Sequence, residues 1–366
     1  MKLGIDISTY IEELSSGAKY FDGEKQIDPI KEFRKNNVEL IRLRVWNNPY
    51  SEEGKPYLGG TNDKEQLIRL IKETKSYGYK YIIDFHYSDF WVDPEKQTAP
   101  KAWKNLTLEE IIKEVYSFTK DVLLEVKKEN VEVPYIQIGN EVTNGMIWPF
   151  GRLYYKNEEI RDNYANFIAL LNSGIKGARE IYPNSNIIIH LERSFDHLIY
   201  DELFSQLEKA KVNYDIIGMS YYPYWHGSFA QLFSNIEGCR KKFHKNVMIM
   251  EVGYGFTFED YILNNNGHCQ LKVNEDTIAS EIPYKVTPQG QALFIEDFLE
   301  RCKKADLEGV VYWEPLWIPG DNICWSSIEG QAYIHEEGKS TRNEWANQCL
   351  FDYSGNKLPG FDKFKL

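Results

Sequence analysis

Short apolar runs alternate with longer runs of helical period along most of the chain. Eight of the short runs read as strands: Leu3–Ile7, Leu40–Val45, Tyr79–Phe85, Tyr135–Gly139, Ile187–His190, Ile216–Ser220, Val247–Met250 and Gly309–Trp313. Each is nearly continuous in its apolar character, as a strand covered on both faces must be. Helices fall between them. Asp28-Pro29 opens the first, a capping acid followed by proline at the first helical position. Asp63 opens a second that runs toward Tyr77, and Thr107-Leu-Glu-Glu110 has capping-box spacing ahead of a helix to about Lys128. Further helices are expected over Asn157–Tyr182, Asp201–Ala210, Ser228–His244 and Thr287–Ala305.

Strand and helix repeated eight times predict an α/β protein, a closed (β/α)8 TIM barrel in which residues 1–366 form one catalytic domain. An open doubly wound sheet is the competing arrangement. It calls for a Gly-rich phosphate loop after the first strand, where this chain has Asp6-Ile-Ser-Thr9. Asn264–Gly267 and Gly320–Asn347 read as long loops on strands seven and eight.

A barrel of this kind carries its active site at the C-terminal ends of its strands. Polar and aromatic residues crowd there: Asp6, Arg42 and Arg44, Asp84, His86 and Asp89, Asn140-Glu141, His190 and Glu192, Ser220-Tyr-Tyr222, Glu251, and Trp313-Glu-Pro315. Ile136-Gln-Ile-Gly-Asn140-Glu141 and Val247-Met-Ile-Met250-Glu251 share one pattern, an apolar run ending in a carboxylic acid. Strands four and seven lie nearly opposite in an eight-stranded ring, so the two acids converge across its mouth. Apolar walls raise a carboxyl pKa, which suits a general acid. A gap near 5 Å implies hydrolysis with retention, and roughly 6.5–9.5 Å implies inversion. The sequence leaves that distance open.

Around the pair, Arg44 is expected to pair with the ionised carboxylate, with Arg42 of the same strand parity as the alternative. Asn140 offers a donor and an acceptor to a sugar hydroxyl. His86 is expected to bond substrate or tune an acid, and Tyr221 to donate its phenol to Glu251. Trp91, Trp313 and Trp317 are candidate sugar platforms, since a flat ring buries the apolar face of a pyranose.

Composition narrows the classes. The formal charge of −12 argues against nucleic acid and anionic membrane as partners. The 25 Tyr and 9 Trp favour carbohydrate because several Trp, including Trp46, Trp103 and Trp225, stand in polar stretches. The 5 Cys are odd in number and widely spaced, which points away from a zinc knuckle or disulfide framework. No phosphate loop, Gly-x-Ser-x-Gly elbow or His-Glu-x-x-His helix occurs, and no compact ligand spacing, so neither metal nor cofactor is expected in the chemistry. Met1-Lys2 leads straight into the first strand. The chain as written reads as cytoplasmic, or as secreted with its leader removed.

These stretches resemble glycoside hydrolase family 53, the arabinogalactan endo-β-1,4-galactanases. The resemblance runs through Gly4-Ile-Asp-Ile-Ser8, Arg42-Leu-Arg-Val-Trp-Asn-Asn-Pro49, Asp84-Phe-His-Tyr-Ser-Asp-Phe-Trp91 and Gln137-Ile-Gly-Asn-Glu141. It continues through Ser220-Tyr-Tyr-Pro-Tyr-Trp-His-Gly227, Glu251-Val-Gly-Tyr254 and Tyr312-Trp-Glu-Pro-Leu-Trp-Ile-Pro319. It implies a retaining double displacement on β-1,4-galactan, with Glu141 as acid/base, Glu251 as nucleophile and Asn140 on the 2-hydroxyl beside the scissile bond. The family is usually secreted, and some bacterial members hold a structural calcium in late loops. No ligand set for calcium stands out here, and Asn264–Glu281 matches no familiar stretch. The competing functions are a β-mannanase or cellulase using the same two acids, and a non-catalytic galactan-binding barrel.

Overall fold

A computed structural model describes residues 1–155, 161–261, 271–277 and 282–366. Eight parallel strands close into a barrel: β1 (Lys2–Asp6), β2 (Val38–Val45), β3 (Lys80–Phe85), β4 (Tyr135–Ile138), β5 (Asn186–Leu191), β6 (Ile216–Tyr221), β7 (Asn246–Val252) and β8 (Gly309–Trp313). Neighbours follow chain order, and β1 closes the ring on β8. Every expected strand is present to within a residue or two.

Side chains of one strand parity fill the barrel interior, where Leu40, Ile82, Tyr135, Ile188, Ile216, Met248, Met250 and Val311 form their own apolar cluster. The other parity, with Ile41, Ile83, Ile187, Ile217 and Ile249, faces outward into the larger core under the helices. Those helices are α1 (Pro29–Lys35), α2 (Lys64–Thr74), α3 (Leu108–Lys128), α4 (Tyr164–Ile181), α5 (His197–Lys209), α6 (Phe229–Phe243) and α7 (Pro288–Lys304). Among the described residues no helix is long and apolar enough to cross a membrane.

The helix starts follow local capping chemistry. Asp28 accepts from the Lys31 amide at 3.2 Å, Asp63 from that of Gln66 at 2.7 Å, and Thr107 and Glu110 form a reciprocal capping box. Two starts differ from expectation. Helix α5 begins at His197 instead of Asp201, because the Asp196 side chain accepts from the Ile199 amide. Helix α4 begins at Tyr164, after Arg161–Asp162 pairs with Tyr154–Tyr155 in a hairpin; part of the expected Asn157 start lies outside the described residues. The loop Asn264–Gly267 also lies outside them. Gly320–Asn347 is a long β8 loop, and it carries a short helix, Ile328–Tyr333.

Candidate active site

Strand parity builds the site. The inward series Leu40, Arg42, Arg44 on β2 and Ile82, Asp84, His86 on β3 turn polar at the barrel mouth. So do Ile188, His190, Glu192 on β5 and Ile216, Gly218, Ser220, Tyr222 on β6. On β7 the alternation would turn Glu251 outward, since Met248 and Met250 both face in. A bulge prevents this. Met219 pairs with Ile249 but Ser220 pairs with Glu251, so one extra residue is absorbed at Met250 and Glu251 faces inward beside it.

Arg42 is the hub. Its Nη1 donates to Asp6 Oδ2 at 2.9 Å and to Glu251 Oε1 at 3.0 Å. Its Nη2 donates to Asp84 Oδ2 at 2.8 Å and to Asn140 Oδ1 at 2.9 Å, and its Nε to Gln137 Oε1 at 3.2 Å. Burial alone would disfavour the guanidinium charge, but Asp84, Glu251 and Asp6 overcome that and hold its pKa above the ordinary range. Tyr222 donates to the other Glu251 oxygen at 3.0 Å.

Glu141 stands in a different setting. It follows Gly139, which has φ of +79° and where an added Cβ would fall 2.5 Å from Val142 Cγ1, and Glu141 itself has φ of +47°. Ser220 Oγ donates to Glu141 Oε1 at 2.6 Å, and His190 Nε2 lies 2.9 Å from the same hydroxyl. Burial raises the Glu141 pKa well above the usual carboxylate range, and the nearby Glu251 and Glu192 charges add to this. Burial also raises that of Glu251, to about 7, with Arg42 and Tyr222 limiting the rise and the Asp6 and Asp84 charges adding to it. The proton shared by the pair therefore resides on Glu141, and Glu251 ionises first. One oxygen of each carboxyl and a nitrogen of His190 lie within 4.8 Å of one another. A cation among them would sit against the Arg42 guanidinium.

Several expectations are corrected. Arg44 does not hold Glu251. One layer further out, it donates to Glu314 at 2.6 Å and to the Gly59 carbonyl at 2.9 Å, with its guanidinium 4.1 Å from the centroid of the Trp91 ring. It still borders the cleft. Tyr221 does not reach Glu251 either. It has outward parity, donates to the Gly227 carbonyl at 3.0 Å and stacks on Phe298, so Tyr222 takes the expected contact. Trp317 is 1% exposed and stacks behind Trp91, with ring centroids 6.1 Å apart, as backing for the wall and not as its face.

The remaining expected residues line one cleft of about 560 Å3: Asn140, Glu141, Glu251, His86, Trp91 and Trp313. Asn140 donates one amide hydrogen to the Val92 carbonyl, which leaves the other for the cleft. His86 Nδ1 accepts from Trp46 at 3.1 Å, so its proton sits on Nε2, which donates to Asp84 at 3.0 Å. Burial lowers its pKa and keeps it neutral. Arg42, Glu192, Tyr222, His226 and Trp345 also border the cleft. The first three stand among the strand-end residues expected from the sequence, with no role singled out there for Glu192 or Tyr222; His226 and Trp345 come from loops whose course no local pattern specifies.

With this geometry in view, the glycosyl hydrolase family 53 model matches residues 2–364. The endo-beta-1,4-galactanase of Bacillus subtilis (strain 168) is 32% identical over 99% of this chain and 85% of its own length. The arabinogalactan endo-beta-1,4-galactanase of Cellvibrio japonicus (strain Ueda107) is 31% identical over 99% and 90%. Among solved structures, the Ignisphaera aggregans GH53 catalytic domain superposes with a TM-score of 0.87 at 33% identity, covering 99% of this chain and 94% of that one. A barrel with two acids facing each other at one rim, matched to one family from its first strand to its last helix, belongs to glycosyl hydrolase family 53.

Proposed function

We propose that this chain is a retaining endo-β-1,4-galactanase acting on galactan or arabinogalactan, with residues 1–366 as one catalytic domain. The observation that carries the reading is that one oxygen of the Glu141 carboxyl and one of Glu251 lie within 4.8 Å of each other, in unlike settings. Such an approach favours the roughly 5 Å arrangement of retaining enzymes over the roughly 6.5–9.5 Å of inverting ones.

Glu251, held ionised by Arg42 and Tyr222, attacks the anomeric carbon. Glu141 gives its proton to the departing glycosidic oxygen. The sugar is then bound to Glu251 through an ester. Glu141, now a carboxylate, takes a proton from water as the water attacks the same carbon and releases Glu251. Ser220 stabilises the charged form of Glu141 between the two halves. Trp91 and Trp313 offer flat faces to sugar rings, and Asn140 and His86 border the reacting one. No cofactor enters these steps.

The test is galactan hydrolysis followed by proton NMR of the first reducing ends. The β anomer is expected to form first, and initial formation of the α anomer overturns retention. Glu251→Ala is expected to abolish turnover with the fold intact by circular dichroism; wild-type rates in that variant overturn the nucleophile assignment. Parallel digests of β-mannan and cellulose separate this reading from its relatives.

A further inference from the structure

Two buried polar side chains in the cleft touch no reacting atom in the steps above, although the Glu192 charge adds to the raised Glu141 pKa. Glu192 closes the inward series of β5. One carboxylate oxygen accepts from Thr143. The other, Oε1, is buried without a hydrogen-bond partner and meets the Arg193 Nε at 3.3 Å in an ion pair lacking hydrogen-bond alignment. A buried acceptor in that condition is costly unless a ligand or water completes it.

His226 lies in the loop after β6. Its Nδ1 faces the Tyr222 amide and the Ser220 carbonyl, each at 3.1 Å. The amide hydrogen is fixed and an orphaned amide is the costlier loss, so Nδ1 accepts it. Burial lowers the ring pKa to about 4, so the ring is neutral and its proton sits on Nε2. Nε2 has no protein partner among the described residues, and the ring borders the cleft. The cleft thus holds one carboxyl oxygen, on a group that burial raises to about 7, and one N–H donor, both placed by the protein and both without a hydrogen-bond partner among the described residues.

Their place follows from the ring of strands. Arg42, Asn140 and His86 gather on the β2–β4 side, where Arg42 anchors Glu251, so the reacting sugar lies over that side. Glu192 and His226 rise from β5 and β6, on the opposite flank of Glu141. These two strands are direct neighbours, with Leu191 paired to Met219. A chain whose bridging oxygen meets Glu141 passes over them as it leaves. We infer that Glu192 and His226 form the subsite for the first sugar of the leaving group, Glu192 Oε1 accepting from one hydroxyl and His226 Nε2 donating to another. The inference rests on the galactanase reading and adds which residues hold the departing sugar.

The test compares galactotetraose, whose leaving group is a sugar, with a nitrophenyl β-galactobioside, whose leaving group is not. The ratio of the two kcat/KM values does not depend on how much of a variant is folded. Loss of one such hydrogen bond is expected to lower that ratio about tenfold in Glu192→Ala and in His226→Ala. In His226→Ala, which removes a neutral ring, the basic limb of the kcat/KM profile is expected to stay in place, and a moved limb assigns the loss to Glu141 acidity and overturns the subsite. Transfer of the enzyme-bound sugar to added galactobiose is expected to fall in both. A wild-type ratio in both variants overturns the inference while leaving the galactanase reading intact. A wild-type enzyme inactive on galactan overturns both.

Discussion

At the scale of single residues, chemistry here is decided by which of two adjacent candidates faces the cleft. Arg42 and Arg44 share parity and differ by one layer; only Arg42 lies level with Asp6, Asp84 and Glu251. Tyr221 and Tyr222 differ in parity, and only Tyr222 faces in. The guanidinium serves five acceptors at once through a planar fork, which an ammonium on a flexible stem cannot reproduce. Arg42→Lys is therefore expected to lower kcat by about a hundredfold or more. The sign of its pH effect is fixed. Arg42 lowers the Glu251 pKa, and the reaction needs Glu251 ionised. Weakening that pair moves the acidic limb of the kcat/KM profile to higher pH. A pH profile of the purified variant measures it, and an unmoved acidic limb removes Arg42 from the ionisation of Glu251.

At the scale of elements, the site depends on how strands end. Strand β4 ends through Gly139 in the left-handed region and presents Asn140 and Glu141 from the turn. Gly139→Ala imposes backbone strain of about 1–3 kcal/mol and drives a methyl toward Val142. It is expected to lower the thermal midpoint and to reduce kcat more than it raises KM, because Glu141 loses its aim. Calorimetry with steady-state kinetics reads both, and wild-type kcat would show that the turn does not aim the acid. Elements of this kind differ in how openly the sequence declares them. The eight strands and most helix caps are legible because continuous apolar runs and Asp, Thr or Ser before a helix act locally. The two acids are legible as apolar runs that stop at a carboxylate. The bulge at Met250 is not, because it arises from pairing with β6 and not from any property of Val247–Met250. Nor is the covering of Trp317 legible, since the ring it stacks on, Trp91, comes from the distant loop after β3. Tyr222 was within reach of the sequence: extending the alternation of Ile216, Gly218 and Ser220 by two residues selects it over Tyr221.

At the scale of the whole molecule, acids accumulate at the mouth beyond the catalytic pair, and folding must bury them. Beside β1 and β8, Glu13 and Glu314 are buried and Glu12 is half-buried around Arg44. Burial raises Glu12 and Glu13 to about 7 and Glu314 to about 8, with Arg44 countering it. A buried acid whose folded pKa is raised binds its proton more tightly in the folded state than in the unfolded one. The stability it contributes is complete below the unfolded value of about 4.5 and is lost as pH rises through the folded value. The protein is therefore expected to lose stability between about pH 5 and pH 8, and urea denaturation across that range measures the loss. Glu13 isolates the cause. Its carboxyl accepts from Thr9 at 2.6 Å and from Tyr20, whose hydroxyl also reaches the Leu316 carbonyl at 2.9 Å. Replacement by glutamine keeps the volume, keeps an acceptor for Thr9 and leaves Tyr20 another acceptor, while removing the ionisation. Glu13→Gln is expected to unfold near the wild-type urea midpoint at pH 5 and at a higher midpoint at pH 8.5. Equal midpoints at pH 8.5 would mean that Glu13 stays protonated there or that its charge is fully compensated, and would assign the alkaline loss to the other raised acids, Glu12 and Glu314 beside it and Glu141, Glu192 and Glu251 in the cleft.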